Sequence, residues 1–231
     1  MSYIQSYCNI FPGIVLLNGE EFLKLKRKPF VMNDFFAEIY TRLGIDYRKF
    51  YKMDALSKLG FLASEILLSG SDREQPKPDM GIIFFNRSSS LEADGKYQKT
   101  IQEKDNFFPS PAEFVYTLPN IVTGEIAIRN KIHGETAMYV SYDFYSELIE
   151  SAIDYAMKYA GIKCALAGWV EVDEPANKVD CCMMLCTAKV GNERNSHLPA
   201  GLKNIQAGIN MFLDKSAFYH VYYKNKKQWM N

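Results

Sequence analysis

Five cysteines and three histidines are the residues of this chain best suited to nucleophilic or metal chemistry: Cys8, Cys164, Cys181, Cys182 and Cys186, with His133, His197 and His220. Their spacing argues against both chemistries. Asp180-Cys181-Cys182-Met183-Met184-Leu185-Cys186 invites a metal site, but adjacent residues of a strand point to opposite faces, and no second cluster of Cys or His has zinc spacing. A buried strand explains the run better. No HxxH or HExxH pair sets two imidazoles on one helix face, so no metal and no other cofactor is expected. The odd number of cysteines rules out a complete disulfide framework and points to reduced thiols in a cytoplasmic setting. Ser88, Ser89 and Ser90 follow an apolar run, yet they lack a GxSxG elbow and a partnered base, which leaves loop and helix-cap roles.

The elements around these residues follow an alternating pattern. With 231 residues, 48% hydrophobic and 14% aromatic, the chain has ample material for a packed core and is not a disordered one. Lys+Arg and Asp+Glu are equal at 27 each, so no net field favours nucleic acid or an anionic membrane. The start lacks the pattern of a secretory signal, and no apolar run is long enough for a membrane span, so a soluble cytoplasmic protein is expected.

An opening strand is expected at about Tyr3 to Phe11, followed by a polar, basic segment around Lys24 to Lys28. A helix follows from Asp54 to Leu68, with Leu59, Phe61, Leu62 and Ile66 among its apolar stripe. Met80 to Phe85 is an uninterrupted apolar run, the pattern of a buried parallel strand. Further helices are expected at Leu91 to Glu103 and Ile121 to Arg129, with Gly124 inside the latter marking close packing. Thr136 to Val140 makes a strand, Tyr145 to Ala160 a helix closed by Gly161, and Cys164 to Val170 and Cys181 to Ala188 a final antiparallel pair. Strands linked by helices give a layered α/β sheet with helices on both faces.

The order of these segments resembles the N-terminal half of β-ketoacyl synthases, in the thiolase-like superfamily, over most of Met1 to Lys189. Arg48 to Leu59 is similar to that family's basic turn and following helix. Ser110-Pro111, then Thr117-Leu118-Pro119-Asn120, then Gly124 to Ile128, resembles its SP…TLPN…GEIAI pattern. Gly134 matches the glycine that opens the nucleophile strand, and Ile162 to Glu171 looks like a strand ending in a GGxE-type turn, with Gly168 kept and Trp169 replacing the second glycine. The resemblance implies a single thiolase-like half, a mixed five-stranded sheet, over residues 1–190. Residues 191–231 are then an extension that packs on this domain or on a partner.

What the resemblance implies for chemistry is a loss. The family's nucleophilic cysteine falls on Asp143, or on Phe144 if the strand is one residue longer, and neither forms an acyl thioester. Asp143 is expected to serve as a helix N-cap; a general base is the alternative. The family's catalytic histidines belong to a second half that this chain does not supply, and His197 and His220 lack their motif context. The class implied is acyltransferase, with no condensing activity in this chain alone. The helix Tyr145 to Ala160, sandwiched in the complete fold, is expected to be apolar on two sides. Thr136, Met138, Val140, Tyr145, Ile149 and Ile153 are therefore candidate interface residues. The reading is a non-catalytic, chain-length-factor-like subunit of type II fatty-acid or polyketide assembly, partnered by a complete β-ketoacyl synthase or a second copy of itself. The alternative is a free-standing acyl or acyl-carrier-protein binding module, suggested by the basic aromatic run Tyr222 to Trp229.

Overall fold

Two tight turns near the N-terminus enlarge the sheet beyond the five strands expected. The first strand, β1 (Ser2–Phe11), is followed after Pro12-Gly13 by β2 (Ile14–Leu17) and, across Asn18-Gly19, by β3 (Glu20–Lys24). Asn18 and Gly19 both have positive φ, as a two-residue hairpin requires, and Leu17 pairs with Glu20 across them. In this computed structural model, residues 2–25, 29–105, 107–188, 211–212, 222–223 and 226–227 are described. Seven strands lie in series in the order β3-β2-β1-β7-β6-β4-β5, adding β4 (Met80–Asn86), β5 (Thr136–Val140), β6 (Cys164–Asp173) and β7 (Lys178–Ala188). The two-residue β8 (Met211–Phe212) also pairs with β1. The five-stranded expectation is thus corrected: β5-β4-β6-β7-β1 forms the central sheet, and the β2–β3 hairpin extends it.

The central strands β4, β5 and β6 run parallel, while β7 is antiparallel to both β6 and β1. Period-two alternation divides their side chains between two cores. Cys181, Met183 and Leu185 face the core built with helices α1 (Met32–Arg42), α2 (Ala55–Leu67) and α5 (Ile121–Asn130). Cys182, Met184 and Cys186 face the other core, closed by α6 (Ser146–Tyr159). All five cysteines are free and buried. Burial pushes their thiols up, well away from the thiolate form. Among the described residues, no three His, Cys, Asp or Glu side chains gather as a metal site. None of their helices is long and apolar enough to cross a membrane.

Helix α2 begins at the expected place because the Asp54 carboxylate accepts a hydrogen bond from the Ser57 amide at 3.0 Å. Its Gly60 is the tight helix contact, since a Cβ there would meet Val122 Cγ2 of α5 at 2.6 Å. Gly124, expected to mark close packing, has no atom within 4 Å of its Cβ position and faces away from that contact. Two shorter helices, α3 (Leu91–Ile101) and α4 (Pro111–Tyr116), lead from β4 towards α5.

Candidate functional site

Strand β5 forms the outer edge of the parallel part of the sheet and delivers the chain to the position of interest. It pairs with β4 from Ile82↔Thr136 to Asn86↔Val140. Ile82 N donates to Glu135 O at 2.8 Å, and Ser141 N donates to Asn86 O at 2.8 Å. In a parallel strand the backbone groups of alternate residues share a side. Residues 135, 137, 139 and 141 therefore face β4, and Thr136, Met138 and Val140 turn their N–H and C=O groups outward. Among the described residues, no strand of the sheet lies beyond them. Val140 is 60% exposed, and Tyr139, Tyr142, Tyr145 and Leu148 carry the exposed apolar surface round from the strand end onto α6.

Between β5 and α6, the loop makes its own hydrogen bonds. Ser141 Oγ donates to Asp143 O at 2.8 Å, and the Phe144 amide donates to Asp143 Oδ1 at 2.8 Å. The helix starts later than expected, with Tyr145 in the N-cap position and no side-chain cap. Asp143 is therefore no helix cap: its carboxylate takes up the amide of its own neighbour, ahead of the first helical turn. Phe144 turns inward instead. Its ring stacks on Tyr222 at 3.9 Å and 9°, and meets Trp169 edge-on at 6.4 Å. Tyr223 lies edge-on to Phe144 at 5.8 Å, and its hydroxyl donates to Phe144 O at 3.1 Å.

A polar cluster closes the far end of this aromatic stack. The Tyr222 hydroxyl donates to Asp180 Oδ2 at 2.7 Å, Lys226 Nζ also bonds Asp180 Oδ2, and Nζ lies 2.8 Å from the Tyr222 hydroxyl. Burial, with Asp180 beside it, raises the Tyr222 hydroxyl far above the ordinary tyrosine range and keeps it a donor. The expected basic aromatic docking run is corrected at these positions, because Tyr222 is buried and Lys226 is spent on an internal ion pair. Lys224, Asn225, Gln228 and Trp229 of that run, together with His197, His220 and most of 191–231, lie outside the described residues. His133 is exposed at the turn into β5.

The loop after β4 is held to the same end of the sheet by one carboxylate. Glu171 is buried, its Oε2 accepts from the amides of Arg87 at 2.6 Å and Ser88 at 3.2 Å, and its Oε1 accepts from Ser88 Oγ. The serine run is thus anchoring material, with Ser90 Oγ donating to Thr117 O at 2.8 Å. Exchanging Glu171 for glutamine sets an amide NH2 against these donors. We expect Glu171→Gln to cost about 2–3 kcal/mol, read as a lower urea midpoint with an unchanged slope. An unchanged midpoint would show that the loop does not depend on this carboxylate.

No family's sequence profile matches the chain, and no curated protein matches it. Solved structures do resemble it. The ishigamide ketosynthase/chain length factor matches with a TM-score of 0.56 at 17% identity, over 84% of this chain and 64% of that one. A ketosynthase (ApeO) in complex with its chain length factor (ApeC) from Xenorhabdus doucetiae matches at 0.52 and 15% identity, over 83% of this chain and 81% of that one. A type II PKS acyl-carrier protein in complex with its ketosynthase bound to the hexaketide matches at 0.51 and 12% identity, over 81% and 62%. The fold is ketosynthase-like. The chain spans less than two thirds of the first and third of these chains.

Within the ketosynthase-like fold, the motif residues have structural duties. Ser110 caps α4 by accepting from the Glu113 amide at 3.2 Å, and Pro111 takes the first helical position. Pro119 and Asn120 form the turn into α5, where Asn120 O accepts from Thr123 Oγ1 at 2.8 Å. The Gly134 amide donates to Met80 O at 3.0 Å, bringing the chain against β4. Gly168 to Glu171, expected to form a turn, lie inside β6, and the strand continues to Asp173. Of the candidate interface residues, Thr136, Val140 and Tyr145 are exposed, and Met138 is half-buried. Ile149 and Ile153 are corrected, since both are fully buried in the chain's own second core. The outer face of α6 instead carries Tyr145, Leu148, Tyr155 and Tyr159. Sequence reasoning missed Asp180 and the inward turn of Tyr222 and Lys226. Its one available signal was an aromatic residue four positions before a lysine.

A concavity of about 960 Å³ lies elsewhere. It lies between β3 and α1, at the opposite edge of the sheet, and is lined by Phe22, Asp34, Glu38 and Arg42 among others.

Proposed function

We propose that this chain is a non-catalytic ketosynthase-like subunit that pairs with a complete β-ketoacyl synthase, in the manner of a chain length factor, in type II fatty-acid or polyketide assembly. The observation that carries this reading is the open β5 edge, where Thr136, Met138 and Val140 offer outward backbone groups beside an exposed apolar surface. An unpaired edge of this kind is a template for strand addition. Two further observations support it. The family resemblance puts the nucleophile's position on Asp143, or on Phe144, and the Phe144 ring is packed against Tyr222. Similar solved structures include a ketosynthase in complex with its chain length factor.

The test is co-expression with a complete ketosynthase and capture of the pair. Proline at an outward-facing edge position removes the N–H that a partner strand would use. Met138→Pro is expected to abolish capture while leaving the circular dichroism spectrum intact, and Val140→Lys to weaken it at least tenfold. No turnover is expected when the chain alone is offered acyl-carrier thioesters. A chain that stays monomeric and captures no ketosynthase, or a Met138→Pro variant that captures as well as the parent, sinks the reading.

A further inference from the structure

The aromatic stack at Phe144 has the form of a ligand slot filled by the chain's own side chain. Its floor is the Phe144 ring, on which Tyr222 lies parallel at 3.9 Å. Its sides are Trp169, edge-on to Phe144, and Tyr223, edge-on to Tyr222 at 4.9 Å and 79°. At its polar end, the Tyr222 hydroxyl is satisfied in both directions, donating to Asp180 Oδ2 and accepting from Lys226 Nζ. The single hydroxyl of a phenol is therefore fully bonded in the slot.

Tyrosine does not exhaust what the slot offers. Asp180 Oδ1 and Trp169 Nε1 are both buried, and neither has a hydrogen-bond partner among the described residues. A buried acceptor and a buried donor left unpaired each carry an uncompensated desolvation cost. A ring with a second hydroxyl set against the Asp180 carboxylate would pair Oδ1, which the one hydroxyl of tyrosine, already on Oδ2, does not. On the Tyr222 side of the stack, Tyr223 is exposed and Lys226 half-buried. The stack lies just before the start of α6, at the carboxyl-end side of the parallel strands, where open α/β sheets take their ligands.

We propose that this slot binds a planar hydroxylated aromatic ring, with Tyr222 as a resident placeholder that such a ring displaces. Binding is a property of the isolated chain and stands independently of pairing with a ketosynthase.

The experiment titrates the full chain calorimetrically with p-cresol, 4-methylcatechol and toluene. Tyr222→Ala empties the slot and is expected to bind p-cresol at least tenfold more tightly than the parent, with a raised thermal midpoint. The second hydroxyl of 4-methylcatechol should strengthen binding several-fold further, and toluene should bind at least tenfold more weakly than p-cresol. Adding Phe144→Ala or Asp180→Asn to Tyr222→Ala should remove most of the gain. If Tyr222→Ala does not fold, Tyr222→Leu, which keeps the apolar contact and frees the polar end, takes its place. Equal p-cresol affinity in parent and variant overturns the proposal. So does toluene binding as well as p-cresol, which would mark a plain apolar cavity, and so does indifference to Phe144→Ala.

Discussion

Replacing Gly168 by alanine is expected to leave the chain unfolded or destabilised by on the order of 4 kcal/mol, the sum of backbone strain and overpacking. Gly168 has a φ of +143°, a conformation that L side chains rarely adopt. A Cβ built there would lie 2.0 Å from the carbonyl oxygen of Cys182 and 3.1 Å from its carbon. Neither partner can give way. Gly168 is paired with Met183 in the middle of β6 and β7, and the residues on either side of that pairing are buried. The strand also carries Trp169 and Glu171, so the damage would reach both the aromatic slot and the loop after β4. Gly124→Ala is the matched comparison. It sits in α5 with nothing within 4 Å of its Cβ position, and removing a helical glycine should add about 0.5–1 kcal/mol. Urea unfolding of the two variants should move the midpoint in opposite directions. A Gly168→Ala midpoint equal to that of the parent would mean that β6 and β7 do not approach as closely as described.

The contrast between these glycines marks where a sequence is legible and where it is not. Gly124 and Gly168 both stand in segments that resemble ketosynthase motifs, yet one sits in open space and the other against a carbonyl across a strand pair. Nothing local distinguishes them, because the second contact spans residues that meet only once the sheet is assembled. Long apolar runs were legible for the opposite reason. Met80 to Phe85, Cys164 to Val170 and Cys181 to Ala188 are buried on both faces, and continuous burial needs no knowledge of partners. Helix α2 was legible from its stripe and from Asp54 as a cap. The β2–β3 hairpin carries a local signal in Asn18-Gly19, and α1 carries one in the stripe of Phe35, Phe36 and Ile39.

The candidate site was legible only by address. Asp143 and Phe144 stand at the end of β5, where the pattern from Gly134 leads. What surrounds them is set by long-range contacts: Phe144 with Tyr222, and Asp180 with Tyr222 and Lys226. Helix propensity predicts a cap at Asp143, but the loop's hydrogen bonds delay the first turn to Ser146. Ile149 and Ile153 belong to the right helix for an interface but to its wrong face.

Removing the Lys77 ammonium is expected to cost about 1–3 kcal/mol, the range for leaving a buried hydrogen-bonding group without its partner. Lys77 has no exposed surface, and its Nζ donates to Asp72 O at 2.7 Å, Gln75 O at 3.1 Å and Asn130 O at 2.8 Å. Burial lowers its basicity from the ordinary lysine range, but the three carbonyls meet every N–H of the ammonium. In Lys77→Met the stem still fills the space, while three carbonyl oxygens lose their donor. The loss is local to a junction that matters for β5. Lys77 N donates to Lys131 O at 2.7 Å and His133 N donates to Lys77 O at 3.1 Å, so this residue ties the approach to β4 to the end of α5. The chain then runs through Gly134 into β5, so the register of the open edge rests on the same junction. Lys77→Met should therefore lower the urea midpoint and weaken ketosynthase capture together, whereas Val140→Lys, at an exposed position, should weaken capture with the midpoint held. If Lys77→Met matches the parent in urea, the buried ammonium contributes nothing to the fold. If it unfolds early yet captures normally, the β5 edge is positioned by β4 alone.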